Sequence, residues 1–194
     1  MAMPRFIAAF LAASLPLAGS AETLEGLLAR GPVVLVESDS KGSFSSATGV
    51  ISINAPADRV WATLIDFPKY KEFMPKVVSS RIVKGEGTYD PEVRWEIDTP
   101  VMNTIYTVHY HINDALRVIT VEQVAGALKD SHWEYRLESA GPSRTLIYYK
   151  SSARHFSSIL ENLEDSQQTI TIGVNVGGAL GILRAIKARS EKTM

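Results

Sequence analysis

From Val77 to Ser152 the chain alternates with a period of two. Val93, Trp95 and Ile97 alternate with Glu92, Arg94, Glu96 and Asp98. Tyr106, Val108, Tyr110 and Ile112 alternate with Ile105, Thr107, His109 and His111. Trp133, Tyr135 and Leu137 alternate with His132, Glu134, Arg136 and Glu138. Successive strand side chains point to opposite faces, so each run predicts a strand with one apolar and one polar side. That is the signature of an antiparallel sheet buried on one face. Turn-forming residues at Gly85-Glu86-Gly87, Thr99-Pro100, Asn113-Asp114, Gly126 and Gly141-Pro142 divide the region into about six strands.

Earlier in the chain the period changes. Glu22–Arg30 reads as a short helical or linker segment that Gly31-Pro32 breaks. Val33–Glu37 is β-branched and strand-like, Ser38–Ser46 is loop-like, and Gly49–Asn54 alternates as a strand. Val60, Trp61, Leu64 and Ile65 then recur at helical spacing. Asn54 before Pro56, and Asp66 before Phe67-Pro68, read as helix caps with proline in the first turn. Two short helices are predicted, and Pro75 ends the second. Leu183, Ile186, Arg184, Lys187 and Arg189 are helically spaced. Ile170, Ile172, Val174 and Val176 alternate with Thr169, Thr171, Gly173 and Asn175, so pattern alone makes Thr169–Val176 a strand.

The first residues read as a separate element. Arg5 precedes an uncharged run from Phe6 to Ala21 that ends in Ala18-Gly19-Ser20-Ala21. A positive start, an apolar stretch and a small-residue exit make a signal peptide over residues 1–21. The run is short and Pro/Gly-broken for a membrane span. Removing it leaves 19 basic and 21 acidic residues. The expected product is a periplasmic protein with an N-terminal segment over 22–31 and one domain over 32–192. Its 45% hydrophobic and 21% charged residues are ordinary for a globular chain. A net charge of −1 gives no basic surface for nucleic acid. The absence of cysteine removes disulfides, thiolate nucleophiles and Cys-based zinc sites.

The stretch from Ile51 to Pro75 resembles the opening of START-like (SRPBCC) proteins, nearest to the polyketide-cyclase and coenzyme-Q-binding branch. The markers are a strand ending in Ala55-Pro56, then Val60-Trp61, Asp66, Tyr70 and Phe73-Met74-Pro75. The resemblance implies an α+β helix-grip fold, with two short helices after the first strand and a curved antiparallel sheet around a long C-terminal helix. It therefore implies that Thr169–Val176 is helical. It also implies a cavity between sheet and helix for a lipid, isoprenoid, quinone or polyketide. No residue matches a motif that carries a catalytic role, and fold alone assigns no reaction. No cofactor is implied.

Candidate chemistry is sparse. Trp95, Tyr106, Tyr110, Trp133 and Tyr135 fall on the inferred inner face, either as core packing or as the wall of a ligand cavity. Phe73 and Met74 would stand at its mouth, methionine being suited to adaptable apolar contacts. Gly173, Gly177 and Gly181 are four apart and form one stripe on a helix. With Gly178 they would cost that helix about 4 kcal/mol relative to alanine. Close approach to the sheet or ligand space would offset this, or the helix breaks at Gly177-Gly178. His109 and His111 share a strand face, and a zinc set would need His132 or Glu122 to complete it. They fall on the polar side, and the sequence alone supplies two of the three ligands such a site needs, so no metal is expected. Asp58, Asp66 and Glu72 are available acids, and no Gly-x-Ser-x-Gly elbow occurs. Ser166–Leu183 carries no charge but is too polar for a good membrane helix.

Two functions follow as expectations. One is a monomeric periplasmic carrier of a hydrophobic small molecule, touching a membrane transiently to exchange it. The other is a cyclase or aromatase using the same cavity.

Overall fold

The computed structural model describes residues 22–98, 103–126, 131–152 and 167–192, with side chains in the last segment from Thr169 onward. The segment read as a signal peptide lies outside the described residues, as does the Thr99-Pro100 break.

Eight strands form one sheet in the order β1-β2-β8-β7-β6-β5-β4-β3. They are β1 (Val33–Ser38), β2 (Phe44–Ile53), β3 (Val77–Lys84), β4 (Glu92–Ile97), β5 (Thr104–Asn113), β6 (Val118–Gly126), β7 (His132–Ser139) and β8 (Thr145–Ser151). Every neighbouring pair is antiparallel. Helix α1 (Leu24–Arg30) precedes the sheet. The long connection from β2 to the far edge at β3 carries α2 (Ala57–Ile65), a 3-10 turn (Phe67–Lys69) and α3 (Tyr70–Phe73). Helix α4 (Gln167–Glu191) lies against β1, β2, β8 and α2. This is the curved sheet and long C-terminal helix of the helix-grip fold. The six strands read after Val77 are all present. The short helices follow the second strand rather than the first, because Val33–Ser38 pairs along β2 as an extra edge strand.

Helix α4 runs unbroken through Gly177-Gly178 and includes Thr169–Val176. The strand reading of that stretch fails for a tertiary reason. A strand there would have to join the sheet, whereas the helix buries Asn175, Ala179, Leu183, Ile186 and Ser190 along one side. The contact with β2 is close. A Cβ on Gly49 would stand 2.6 Å from Leu183 Cδ1 and 3.5 Å from Ala179 Cβ. Polar ties hold both ends of the helix. Ser151 Oγ donates to Asn175 Oδ1 at 2.6 Å, and Asn175 Nδ2 donates back to Thr171 O at 2.8 Å. At the C-terminal end Lys187 Nζ donates to Ser52 O at 2.7 Å and to Glu191 Oε1 at 2.6 Å. Glu191 Oε1 also accepts from the Asn54 N–H at 2.7 Å.

That last bond changes the role of Asn54. Its side chain makes no cap. Pro56 occupies the N-cap of α2 and leaves it without a side-chain bond. Asp66 likewise makes no side-chain cap bond and pairs with Lys69 at 2.9 Å. Proline fixes the backbone at both helix starts, so the polar residue before it is released for other contacts.

The glycine stripe also differs from expectation. At about 100° per residue, Gly177 sits nearly opposite Ala179 on the helix. Gly173 and Gly177 are exposed, and a Cβ on either would meet nothing within 4 Å among the described residues. A Cβ on Gly181 would touch the Pro75 ring at 3.3 Å. Gly173 and Gly177 therefore form neither a close approach to the sheet nor a lining turned toward it. The close approach is made from the strand side, at Gly49. Gly177→Ala is accordingly expected to stabilise the protein by about 1 kcal/mol, through helix propensity alone, and to leave ligand binding as it was. Urea unfolding and a binding titration on the same variant check both halves.

Candidate functional site

Cross-strand register collects the inner aromatic residues. Trp95 on β4 stands opposite Tyr106 on β5. Val121 on β6 links Tyr110 on β5 to Trp133 on β7. Tyr135 on β7 stands opposite Tyr149 on β8. Because side chains alternate, pairs in register share a face. Gly126, at φ +104°, lets the β6 backbone close on Tyr106, where a Cβ would stand 2.6 Å from Tyr106 Cα.

The result is a run of rings along the interior. Phe73 meets Tyr70 with centroids 5.4 Å apart, and Tyr70 meets Trp95 at 5.2 Å. Trp95 stacks toward Tyr106 at 6.0 Å, and Tyr106 toward Trp133 at 6.4 Å. Phe67 ties Tyr110 to this run from the 3-10 turn, at 4.3 Å from Tyr110 and 5.6 Å from Tyr70. Tyr135 and Tyr149 form a second pair at 4.9 Å. The residues expected on the inner face are thus brought together: Trp95, Tyr110 and Tyr135 buried, Tyr106 and Trp133 partly open. At the α3 end Met74 is buried and Phe73 partly so, with the Arg189 guanidinium 5.6 Å over its ring.

Three members of this face were not singled out from the sequence. Tyr149 follows Ile147 by two on a strand that alternates clearly enough to have placed it. Tyr70 and Phe67 sit in one-turn elements whose facing no periodicity can give.

The polar chemistry of this interior is unusual in one respect. The Tyr70 hydroxyl donates to the Leu64 carbonyl. The hydroxyls of Tyr106, Tyr110, Tyr135 and Tyr149 lie in the same interior. Trp95 Nε1 is buried with no hydrogen-bond partner among the described residues. A buried polar group without a partner costs about 1–3 kcal/mol. Burial pushes all four tyrosine hydroxyls far above their ordinary range, so they stay protonated donors at any physiological pH. Every fully buried polar side chain among the described residues is uncharged. The three candidate acids lie outside this interior, each in an ion pair: Asp58 with Arg117 at 2.6 Å, Glu72 with Arg189 at 3.0 Å, and Asp66 with Lys69 at 2.9 Å.

His109 and His111 project from the opposite face. His111 is exposed and His109 half-buried. The sheet separates them from the ring run.

Known proteins bear on this arrangement. The chain superposes on the Zhui aromatase/cyclase from Streptomyces sp. R1128 with a TM-score of 0.64 at 21% identity, covering 75% of this chain and 93% of that one. A STAR-related lipid transfer protein from Xanthomonas axonopodis gives 0.59 at 19% identity, covering 82% and 99%. A START superfamily protein from Mycobacterium smegmatis gives 0.55 at 13% identity, covering 73% and 97%. At such identities the likeness is one of fold. No curated protein matches the sequence. The family model described as polyketide cyclase / dehydrase and lipid transport matches residues 53–180, which run from the end of β2 into α4. Strand register, helix placement and sequence match agree, and the chain belongs to the polyketide cyclase / dehydrase and lipid transport family.

Proposed function

We propose that this chain is an exported binding or carrier protein for a hydrophobic small molecule with oxygen acceptors, such as a lipid, isoprenoid or quinone. The ligand lies against the ring-lined face between the sheet and α4. The observation that carries this reading is the aromatic inner face, where the buried Trp95 N–H has no acceptor among the described residues and the neutral hydroxyls of Tyr106, Tyr110, Tyr135 and Tyr149 stand nearby. A ligand carbonyl, ester or ether oxygen supplies one, while the rings supply apolar contact. A few placed polar groups in an aromatic wall is the usual make-up of a small-molecule site.

Exchange of such a ligand fits a transient membrane contact. Thr169–Glu191 is long and apolar enough to cross a membrane by length and composition, and 22% of its most apolar window is buried. The outward side of its first half carries Gly173, Val174, Gly177 and Gly178, and the exposed Arg184 follows about one turn and a half later. Export rests on the sequence of residues 1–21. The periplasmic protein is expected to begin at Glu22 and to be a monomer. Intact mass spectrometry of periplasmic extract checks the first and native mass spectrometry the second, and recovery of uncleaved chain in the membrane fraction would remove the soluble-carrier reading.

The second reading is a cyclase or aromatase acting on a polyketide. The fold likeness to an aromatase/cyclase favours it. Such chemistry moves protons, and among the described residues the interior offers only tyrosines held in their neutral form. Native mass spectrometry followed by solvent extraction separates the two. A lipid, isoprenoid or quinone carried through purification supports the carrier. Apo protein that cyclises an added poly-β-ketone supports the enzyme.

A further inference from the structure

The outer face of the sheet brings together two imidazoles and two carboxylates that are far apart in sequence. His109 and His111 stand two apart on β5 and project the same way. Glu122 on β6 is the register partner of His109. Glu122 Oε1 lies 3.7 Å from His109 Nδ1 and 3.6 Å from His111 Nε2. Asp90 arrives from the chain leading into β4. The Tyr110 N–H donates to Pro91 O at 2.9 Å, and the Ile112 N–H donates to Tyr89 O at 2.8 Å. These two backbone bonds bracket Asp90 and set it across from His111, with Asp90 Oδ1 at 2.8 Å from His111 Nδ1. The two rings are 4.2 Å apart. One ligand atom each from Asp90, His109 and His111 lies within 4.8 Å of the others.

We propose that Asp90, His109 and His111 form a binding site for a divalent transition metal of the zinc type, with Glu122 beside the two rings. Imidazole and carboxylate donors are the natural set for such an ion in a cysteine-free chain. Ligand bonds of about 2.1 Å place donors of a tetrahedral site roughly 3.4 Å apart. The ligand atoms of Asp90, His109 and His111, within 4.8 Å of one another, reach this through side-chain rotation. The backbone need not move, because three neighbouring extended segments already hold all four residues on one face. A cleft of about 280 Å³, bordered by His111, Glu122 and His132, gives an ion access from solvent. His–carboxylate ion pairs with no metal would also account for the contacts. They differ in requiring no ion, and that difference is measurable.

The sequence alone points to the two histidines, with His132 or Glu122 as a candidate third ligand. Asp90 is not legible there, because nothing in the spacing between it and His111 shows that its segment continues the ladder beside β5. The proposal of a metal rests on that residue, which brings three ligand atoms together.

The mature protein, freed of metal by chelator, is titrated with Zn²⁺ by calorimetry. One equivalent is expected to bind, and to raise the thermal unfolding midpoint, since an ion that binds the folded state stabilises it. His109→Asn with His111→Asn should abolish both effects, and Asp90→Asn with Glu122→Gln should weaken binding by more than about tenfold. These surface changes are expected to leave circular dichroism unchanged, and X-ray absorption of the zinc form should report two imidazoles. Hydrophobic-ligand binding should stay the same in the histidine variant, so failure here would leave the carrier reading standing. A native protein that takes up no zinc overturns the site. So does a folded histidine variant that binds zinc as the native chain does, or a carboxylate variant with undiminished affinity.

Discussion

Gly49→Val is expected to cost about 3 kcal/mol of folding stability. For a domain of this length, that lowers the unfolding midpoint by roughly 6–12 °C. The reason is local. A first added carbon at position 49 lands 2.6 Å from Leu183 Cδ1, inside any real contact distance. Leu183 is fully buried and cannot swing away without displacing core. The valine's further methyls enlarge the overlap and meet Ala179, 3.5 Å from the first carbon. The helix must lift from β2, and the tie from Asn175 to Ser151 stretches with it. Leu183→Ala alone opens a cavity and should cost about 2–5 kcal/mol. The double variant tests the account. Valine at position 49 would partly fill the space that Leu183 vacates, so the two costs should fall well short of their sum. Strict additivity in urea unfolding would mean that strand and helix do not meet at this point.

That contact also marks where sequence reading succeeds and where it stops. The strands from Val77 onward are legible because one side of each is buried and the other wet, so period two survives in the letters. Val108 and Tyr110 face inward and His111 outward, as the alternation requires. The start of α4 is illegible for the converse reason. Its β-branched, alternating letters favour a strand locally, and what decides against it is remote: Gly49, on β2, and Ser151, 24 residues before its partner Asn175. Glycine misleads in the same way. A stripe on the helix looked like the place of close approach, whereas the residue that permits it is a single glycine within a strand. Asn54 and Asp66 looked like caps because cap-then-proline is a common helix start. Their actual partners, Glu191 and Lys69, come from folding geometry. The aromatic face follows from periodicity, but the unpartnered Trp95 N–H needs three-dimensional positions.

The tyrosine hydroxyls of that face support the second large effect. Replacing Tyr110, Tyr135 and Tyr149 together by phenylalanine is expected to weaken binding of a quinone analogue by about a hundredfold. A hydrogen bond to a ligand is worth about 1 kcal/mol net, so three amount to about 3 kcal/mol. A difference of 1.4 kcal/mol is tenfold in affinity, which gives the two orders of magnitude. Stability should hardly change or should rise. Phenylalanine keeps the Tyr135–Tyr149 ring contact at 4.9 Å and removes a polar atom from the interior. This combination separates a binding site from an ordinary core. In a core with incidental hydroxyls, the triple variant gains stability and binds the analogue as before. In a site whose donors wait for a ligand, it stays folded and loses affinity. A probe with no acceptor oxygen sharpens the comparison. A purely hydrocarbon fluorophore meets the same rings but accepts no hydrogen bond, so its affinity should be nearly the same in both proteins. Equal loss for both probes would assign the effect to altered packing. Loss confined to the quinone assigns it to the tyrosine O–H groups, and makes the ligand's oxygens, rather than its hydrocarbon bulk, what this interior selects.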